Sequence, residues 1–264
     1  MVKGLYTAYT GMVNEQNRLN VLSNNLANAD TNGYKKEGTT SQTFADELAV
    51  KIKDTSAYSL ARKLGTMSMG VHIGETYTDY SQGSFEVTDN ATDFALSGDG
   101  FFAISFTDKE GNTSVKYTRD GAFTINTQGY LVTKDGDFVL NMNDARNGNA
   151  NGRIQVDPTK DITVDEFGNI YQDDQQVGNI GFVDFEDYNY LAKYGENLYD
   201  LVEGGTVIES DAKVEQGTIE ASNVNIVSEM VNMITITRAY QAGQKAINAI
   251  DETLDKAVNQ VGKV

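Results

Sequence analysis

Few residues in this chain have the types and spacing needed for catalysis, because it contains one histidine and no cysteine. His72 lies between Val71 and Ile73 in a segment with the alternation of a β-strand. The alternation directs its imidazole away from those two apolar residues, so we interpret His72 as a solvated strand histidine rather than a general base. No Gly-x-Ser-x-Gly motif provides a nucleophile. The absence of cysteine excludes disulfides, thiolate metal sites and cysteine nucleophiles.

Carboxylates are abundant, and three acidic turns could suggest calcium binding: residues 30–33, 108–112 and 165–169. None completes the twelve-residue EF-hand pattern, so we interpret them as ordinary turns stabilised by Asp and Asn side chains. A glycosidase using paired carboxylates stays open as an alternative, since any of the 38 acidic residues could contribute. The absence of tryptophan argues against a sugar-stacking cleft. We predict no catalytic residue, no cofactor and no metal.

The elements that organise the chain are two apolar heptad ladders, one near each end. A strict seven-residue apolar repeat forms a narrow seam that packs against another helix. The spacing predicts a first helix over about residues 2–29, ended by Gly33, and a final helix over about residues 225–261. The ladders consist of Leu5, Met12, Leu19 and Leu26, and of Ile226, Met233, Tyr240, Ile247, Leu254 and Val261.

The two ladders could pair within one chain or between molecules. A helix of about 37 residues cannot be covered by one of about 28, so part of the longer seam should be exposed unless another molecule covers it. The first helix is also rich in asparagine, which has low helix propensity, and it should be marginal alone. We therefore predict that the ends form a self-assembly module whose ordering is coupled to assembly.

The middle of the chain has short alternating strands separated by turn pairs such as Asp99-Gly100 and Asp120-Gly121. The predicted fold class is therefore α+β, with N- and C-terminal α-helices forming a coiled-coil-like assembly module and an all-β central domain, sandwich or barrel. The predicted boundaries are 1–33 and 222–264 for the helical assembly domain, 34–70 for a connector and 71–221 for a β-rich outer domain.

The net charge of −17 is confined to the middle of the chain. Residues 1–60 carry six basic and six acidic side chains, and residues 225–264 carry four of each. Neutral ends can pack densely without self-repulsion, while an acidic middle keeps the remainder soluble. This balance argues against nucleic-acid binding. No apolar run is long enough to insert into a membrane, and the N-terminus lacks the pattern of a secretory signal.

Several motifs resemble the flagellar axial family, the rod and hook proteins of the bacterial basal body. Tyr34 stands where phenylalanine is more usual in that family. The length is nearer to that of the rod proteins, since hook protein is usually longer. The motifs that carry the resemblance are residues 23–28, 31–35, 100–102, 117–123, 129–132, 195–199, 217–225, 229–234 and 238–241.

The resemblance implies a structural subunit without an active site, which polymerises into a helical tube around the export channel and transmits torque from motor to hook. It implies export through the flagellum-specific type III apparatus without a cleaved signal peptide, and a place in the basal body outside the cytoplasmic membrane. The implied partners are further copies of the chain, other rod and hook subunits, the flagellar export apparatus and envelope ring proteins.

The candidate assembly interface consists of the two ladders together with three asparagines, Asn24, Asn25 and Asn28. We expect these asparagines to form hydrogen bonds between subunits and so to fix their register, as buried polar groups can; simple solvation is the alternative. The alternative function is a secreted β-rich fibre or adhesin oligomerised through heptad helices. That class would carry its heptad helix at one end only.

Overall fold

The computed structural model describes residues 2–45, 47–51, 62–195 and 197–261. Its α-helices are α1 (Val2–Ala27), α2 (Met142–Asn147) and α3 (Ile226–Lys256). α3 continues as the π-helical turn Ala257–Val261, and a 3-10 helical turn spans Tyr188–Tyr190. None of the described helices is long and apolar enough to cross a membrane. The terminal helices flank a β-rich centre, which confirms the predicted α+β class.

Twenty strands follow in chain order within the described residues, and many of them are only two to four residues long. They are β1 (Glu37–Thr43), β2 (Glu47–Lys51), β3 (Arg62–Met67), β4 (Val71–Thr78), β5 (Phe85–Val87), β6 (Phe94–Ser97), β7 (Phe101–Thr107), β8 (Thr113–Thr118), β9 (Thr124–Ile125), β10 (Leu131–Val132), β11 (Phe138–Val139), β12 (Thr163–Val164), β13 (Asn169–Gln172), β14 (Gln175–Asn179), β15 (Phe182–Phe185), β16 (Leu191–Tyr194), β17 (Leu198–Leu201), β18 (Val207–Ile208), β19 (Lys213–Gln216) and β20 (Thr218–Glu220).

The chain divides into two compact units. The first contains α1, α3 and residues 36–79, and the second contains residues 28–35 and 80–224. The predicted connector at 34–70 therefore includes β1, β2 and β3, which belong to the same unit as the terminal helices. β1 pairs with β4, which lies in the same unit, to form one antiparallel ribbon. β2 and β3 pair to form a second antiparallel ribbon.

The first unit is built on the packing of α1 against α3. α1 ends at Ala27, two residues before the predicted end, because residues 28–33 form turns. Asn225 caps α3: its side-chain oxygen accepts a hydrogen bond from the backbone N–H of Ser228 at 3.0 Å. Such a cap satisfies one of the backbone donors that a helix leaves unpaired at its start.

The second unit is built around a sheet with the strand order β16-β17-β8-β7-β11-β10-β9, in which β15 also pairs with β7. Successive residues of β7 enter different apolar clusters. Phe102 packs with Phe94 and Phe123, whereas Phe101 packs with Tyr199. Residues 101–105 are all buried, so this strand is covered on both faces and shows burial on every residue rather than on alternate ones.

Candidate assembly interface

The two terminal helices run antiparallel and meet at small residues. A Cβ added to Gly4 would lie 3.8 Å from the side chain of Ile250, and one added to Gly243 would lie 2.7 Å from Cγ of Met12. The second distance is shorter than real Cβ atoms tolerate, so glycine at 243 permits the close approach of the two helices. These contacts place Met12 of the first ladder against α3, so the two terminal helices pair within one chain, as the intrachain alternative requires.

Exposure varies along the ladders. Leu5 and Ile226, the first residues of the two ladders, are exposed. The side chain of Val261 lies outside those that the structure describes. The other ladder residues are half-buried: Met12, Leu19, Leu26, Met233, Tyr240, Ile247 and Leu254.

Asn25 does not lie on the surface, contrary to the expected bond between subunits. Its side chain is fully buried. Its amide nitrogen donates to the carbonyl oxygen of Glu37 at 2.8 Å, and its oxygen accepts from the backbone N–H of Glu37 at 3.0 Å. Because both amide atoms bind the start of β1, Asn25 fixes α1 to its own chain. The expectation for this residue is therefore corrected.

Asn14 has a similar intrachain role, which the sequence did not indicate. It is almost completely buried. Its amide nitrogen donates to the hydroxyl oxygen of Ser41 at 3.1 Å. Asn14 and Asn25 are eleven residues apart, close to three helical turns, and so they share one face of α1. Two asparagines that weaken the helix by propensity thus fasten it to β1.

The other two predicted asparagines lie in different surroundings. Asn24 is exposed on α1. Asn28 is half-buried and belongs to the second unit, where its side-chain oxygen accepts a hydrogen bond from the hydroxyl of Thr31 at 3.2 Å. Asn28 therefore shapes the turn that follows α1, and only Asn24 of the three presents its side chain openly to solvent.

A second set of apolar residues is exposed on the same helices and largely lies outside the ladders. On α1, the exposed large apolar residues beyond the ladder are Tyr6, Tyr9 and Val13. On α3 they are Val227, Met230, Val231 and Ile234. The heptad pattern missed them because it marks a single seam, whereas these residues widen each helix face to the i, i+3, i+4 pattern.

An open pocket of about 220 Å³ lies in the first unit, lined by residues of α1, β1, β4 and α3. At its wall, the Nζ of Lys36 lies 2.7 Å from Oε1 of Glu229, whose side chain is completely buried. Arg18, which also lines the pocket, binds Glu15 through both carboxylate oxygens, at 3.0 and 3.1 Å. The Lys36–Glu229 pair joins the segment before β1 to α3, whereas the Arg18–Glu15 pair lies within α1.

His72 packs against an aromatic ring rather than facing solvent. Its imidazole is half-buried on β4, and the ring centroids of His72 and Phe44 are 4.7 Å apart. The Nδ1 atom is enclosed and forms no hydrogen bond within the described residues. The interpretation of His72 as a solvated strand residue was therefore wrong, because Phe44, just after β1, covers the imidazole.

The acidic turns at 108–112 and 165–169 are held by their own carboxylates. Asp108 accepts hydrogen bonds from the backbone N–H groups of Asn112 and Glu110, both at 2.9 Å, and these bonds lower its pKa. Burial raises the pKa of Asp165, but hydrogen bonds from Asn169 and Phe167 outweigh it and lower the pKa. Among the described residues, no group of three or more acidic or histidine side chains could hold a metal ion.

A buried ionic cluster joins distant parts of the second unit. The Nζ of Lys35 lies 2.6 Å from Oε1 of Glu220, and Arg119 lies 3.2 Å from the other carboxylate oxygen. Lys35 also donates to the carbonyl of Ser81 at 2.8 Å, and Arg119 to that of Gly98 at 2.9 Å. A buried charge is tolerated only when paired and hydrogen-bonded, and all three charges meet this condition.

The turn after α1 is part of the same arrangement. The N–H of Gly33 donates to the carbonyl of Glu220 at 2.7 Å, and Gly33 has the positive φ of 66° that the sequence predicted. A Cβ at Gly33 would lie 2.4 Å from the backbone of Arg119. The sequence did not reveal this cluster. Lys35 and Glu220 lie among polar residues and glycines in sequence, so no local pattern marks them as buried.

These features define a class of protein: an α+β chain whose terminal helices combine with residues 36–79 into one unit, while residues 28–35 and 80–224 form a β-rich unit. Three family profiles match this chain. They are described as flagella basal body rod protein (residues 5–35), flagellar hook protein FlgE/F/G D1 domain (95–172) and flagellar basal body rod FlgEFG protein C-terminal (215–261). The matches include both terminal segments and part of the β-rich unit.

Whole-length relatives agree with the profiles. The chain is 34% identical to the flagellar basal-body rod protein FlgG of Bacillus subtilis, over 98% of this chain and 99% of that protein. It is 34% identical to FlgG of Buchnera aphidicola from Schizaphis graminum (97% and 98% covered). It is 32% identical to FlgF of Caulobacter vibrioides, over the full length of both. The chain belongs to the flagellar basal-body rod family, which decides against the secreted fibre or adhesin.

Proposed function

We propose that this chain is a structural subunit of the bacterial flagellar basal-body rod, without an active site. Many copies polymerise into a helical tube that surrounds the export channel and transmits torque from motor to hook. The observation that carries the proposal is the pairing of the terminal helices into one unit that leaves apolar side chains exposed. Exposed apolar surface of this kind is typical of a protein–protein interaction site, as expected for a subunit that neighbouring subunits cover.

Charge supports the same arrangement. The terminal segments are balanced in charge, whereas the excess of acidic residues lies between them. Helical units without net charge can approach one another closely, since packing them brings no like charges together. The acidic side chains of the β-rich unit favour its hydration.

Partners and location follow from the family. We propose further copies of the chain and other rod and hook subunits as its direct partners. One relative, from Bacillus subtilis, is named flagellar hook-basal body complex protein FlhO and is 30% identical over the full length of both chains. The proposal extends to the flagellar export apparatus and to envelope ring proteins. It places the chain in the basal body outside the cytoplasmic membrane, exported without a cleaved signal.

The proposed interface retains those predicted residues whose side chains can reach a neighbour. Leu5, Asn24 and Ile226 are exposed, and the half-buried ladder residues line the seam beside them. Asn25 is removed from the interface because its amide binds Glu37 of the same chain.

The experiment deletes the gene in the source bacterium and reintroduces either the wild-type gene or a variant. Hook-basal bodies purified from each strain are examined by electron microscopy. Cells that lack the chain should be non-motile, with basal bodies that lack part of the rod, and the wild-type gene should restore both. Leu19→Asp puts a charge on the first ladder and should abolish incorporation while the second unit stays folded. Asn20→Asp puts the same charge on an exposed neighbouring position and should be incorporated normally. Complete rods in cells without the chain would refute the proposal.

A further inference from the structure

The exposed apolar residues of the terminal helices form two stripes. Stripe A, on α1, consists of Leu5, Tyr6, Tyr9 and Val13, and stripe B, on α3, consists of Ile226, Val227, Met230, Val231 and Ile234. Their fractional exposures run from 36% at Leu5 to 72% at Val227. Single exposed apolar residues are ordinary on a protein surface. Nine of them in two continuous rows indicate surfaces that another molecule covers.

The two stripes have matching shapes. Counting from its first residue, each stripe has exposed apolar side chains at positions i, i+1, i+4 and i+8. At about 100° per residue these positions cover one continuous face roughly 100° wide and about 12 Å long. Stripe B has one additional residue, Val231. Two faces of the same length and width can cover each other along their whole extent.

The stripes lie at opposite ends of the helix pair. Met12, beside stripe A, lies opposite Gly243 of the antiparallel helix α3. Stripe B begins at Ile226, at the other end of α3, so the centres of the stripes are separated by roughly 20 Å along the pair. One copy therefore presents two separate apolar surfaces, and a neighbour that covers one of them leaves the other exposed.

We propose that stripe A of one copy packs against stripe B of the next copy. The inference rests on the proposed function and specifies the contact that propagates the polymer. Because the two surfaces differ, the contact is heterologous, and when its rotation does not close a ring it continues into the open-ended helical assembly of the proposed function. Pairing of like stripes would instead generate two-fold dimers.

The chemistry of the two stripes fits this pairing. Stripe A presents the rings of Tyr6 and Tyr9, whereas stripe B presents Met230 among aliphatic side chains. Methionine sulfur makes favourable contacts with aromatic rings, and aliphatic groups pack on ring faces. No charge opposes the contact, since residues 4–14 contain no charged side chain and Glu229, within stripe B, is buried beside Lys36.

The chain contains no cysteine, so an engineered pair can report the contact without background. We would mix Tyr9→Cys with a differently tagged Met230→Cys in the full-length chain, under conditions that favour polymerisation, and oxidise the mixture. The pairing predicts a disulfide-linked heterodimer, and the doubly substituted chain should yield a ladder of covalent multimers. Both positions are exposed, at 57% and 49%, so the fold should be retained.

Thr7→Cys and Thr235→Cys are the matched controls, since these exposed threonines lie on the same helices at about 200° and about 180° from the first residue of each stripe, outside the stripe faces. The heterodimer should exceed the control pair by on the order of tenfold, as expected when a contact raises the local concentration of the two thiols. Homodimers of each single variant in place of the heterodimer would overturn the pairing, as would a yield equal to the control. Rods that form normally without the heterodimer would overturn this contact and leave the proposed function standing.

Discussion

The ammonium nitrogen of Lys35 lies 2.6 Å from a carboxylate oxygen of Glu220, although 185 residues separate the two in sequence. Lys35 follows the turn after α1, and Glu220 ends the last strand before α3. The pair therefore closes the β-rich unit at the point where the chain enters it and leaves it. Arg119, on the other carboxylate oxygen, ties this junction to the region just after β8.

Removal of Lys35 should strongly destabilise the second unit. Lys35→Met takes away one of two cations and leaves the buried carboxylate of Glu220 undercompensated, for which we expect a loss of about 3–5 kcal/mol in the free energy of unfolding. Urea unfolding followed by tyrosine fluorescence measures it, since the chain has 14 tyrosines and no tryptophan.

The control for that variant is Lys213→Met. Lys213 forms an ion pair of similar length with Glu166, at 2.7 Å, but both side chains are about two-thirds exposed. Solvent screens such a pair, so its loss should leave the midpoint of unfolding nearly unchanged. Equal midpoints for the Lys35 and Lys213 variants would show that the buried cluster does not stabilise the unit.

A second prediction separates backbone strain from steric clash at Gly33. Gly33 and Gly148 share a φ of 66°, but a Cβ at Gly33 would collide with the backbone of Arg119, whereas at Gly148 it would meet nothing within 4 Å. Gly148→Ala should lower the free energy of unfolding by about 1–2 kcal/mol, because alanine there pays only for the left-handed backbone conformation. Gly33→Ala should lower it by clearly more, because its Cβ also collides with the backbone of Arg119. Thermal unfolding of the two variants makes the comparison, and an equal loss would contradict the close approach.

A third prediction concerns the attachment of α1 to β1. Asn25→Ala leaves the N–H and C=O of Glu37 without their side-chain partners, so we expect a loss of about 1–3 kcal/mol despite the better helix propensity of alanine. Asn20→Ala, at an exposed position of the same helix, should be neutral or slightly stabilising. Denaturation followed by circular dichroism at the helix signal tests both. An increase in stability of the Asn25 variant would show that the hydrogen bonds from Asn25 to Glu37 do not stabilise the unit.

The heptad and turn patterns predicted the helices and the β-rich centre well, because they depend on local spacing. The apolar repeat gave both terminal helices to within a few residues, and Gly33 has the left-handed conformation that ends the first turn region. What the repeat did not predict was which faces are covered within the chain. That depends on packing between segments more than 200 residues apart, such as Met12 and Gly243.

The polar residues were harder to interpret for the same reason. An asparagine in a helix has low propensity wherever its side chain points, so Asn24 and Asn25 are equivalent in sequence. Only the position of β1 makes Asn25 a buried clamp and leaves Asn24 exposed. The environment of His72 depends likewise on Phe44, a residue far away in sequence.

The last prediction follows from Tyr117 on β8, which is buried in the second unit. Burial, reinforced by the charge of Asp200, raises the pKa of its phenol from 10.0 to about 12. Above pH 10 the unfolded chain releases this proton while the folded chain keeps it, so the stabilising contribution is complete below pH 10 and is lost as the pH rises toward 12. We expect the free energy of unfolding to fall there by up to about 1.4 kcal/mol per pH unit from this residue. Tyr117→Phe should show a correspondingly shallower decline in urea unfolding at pH 9, 10 and 11, whereas parallel curves would mean that the phenol titrates normally.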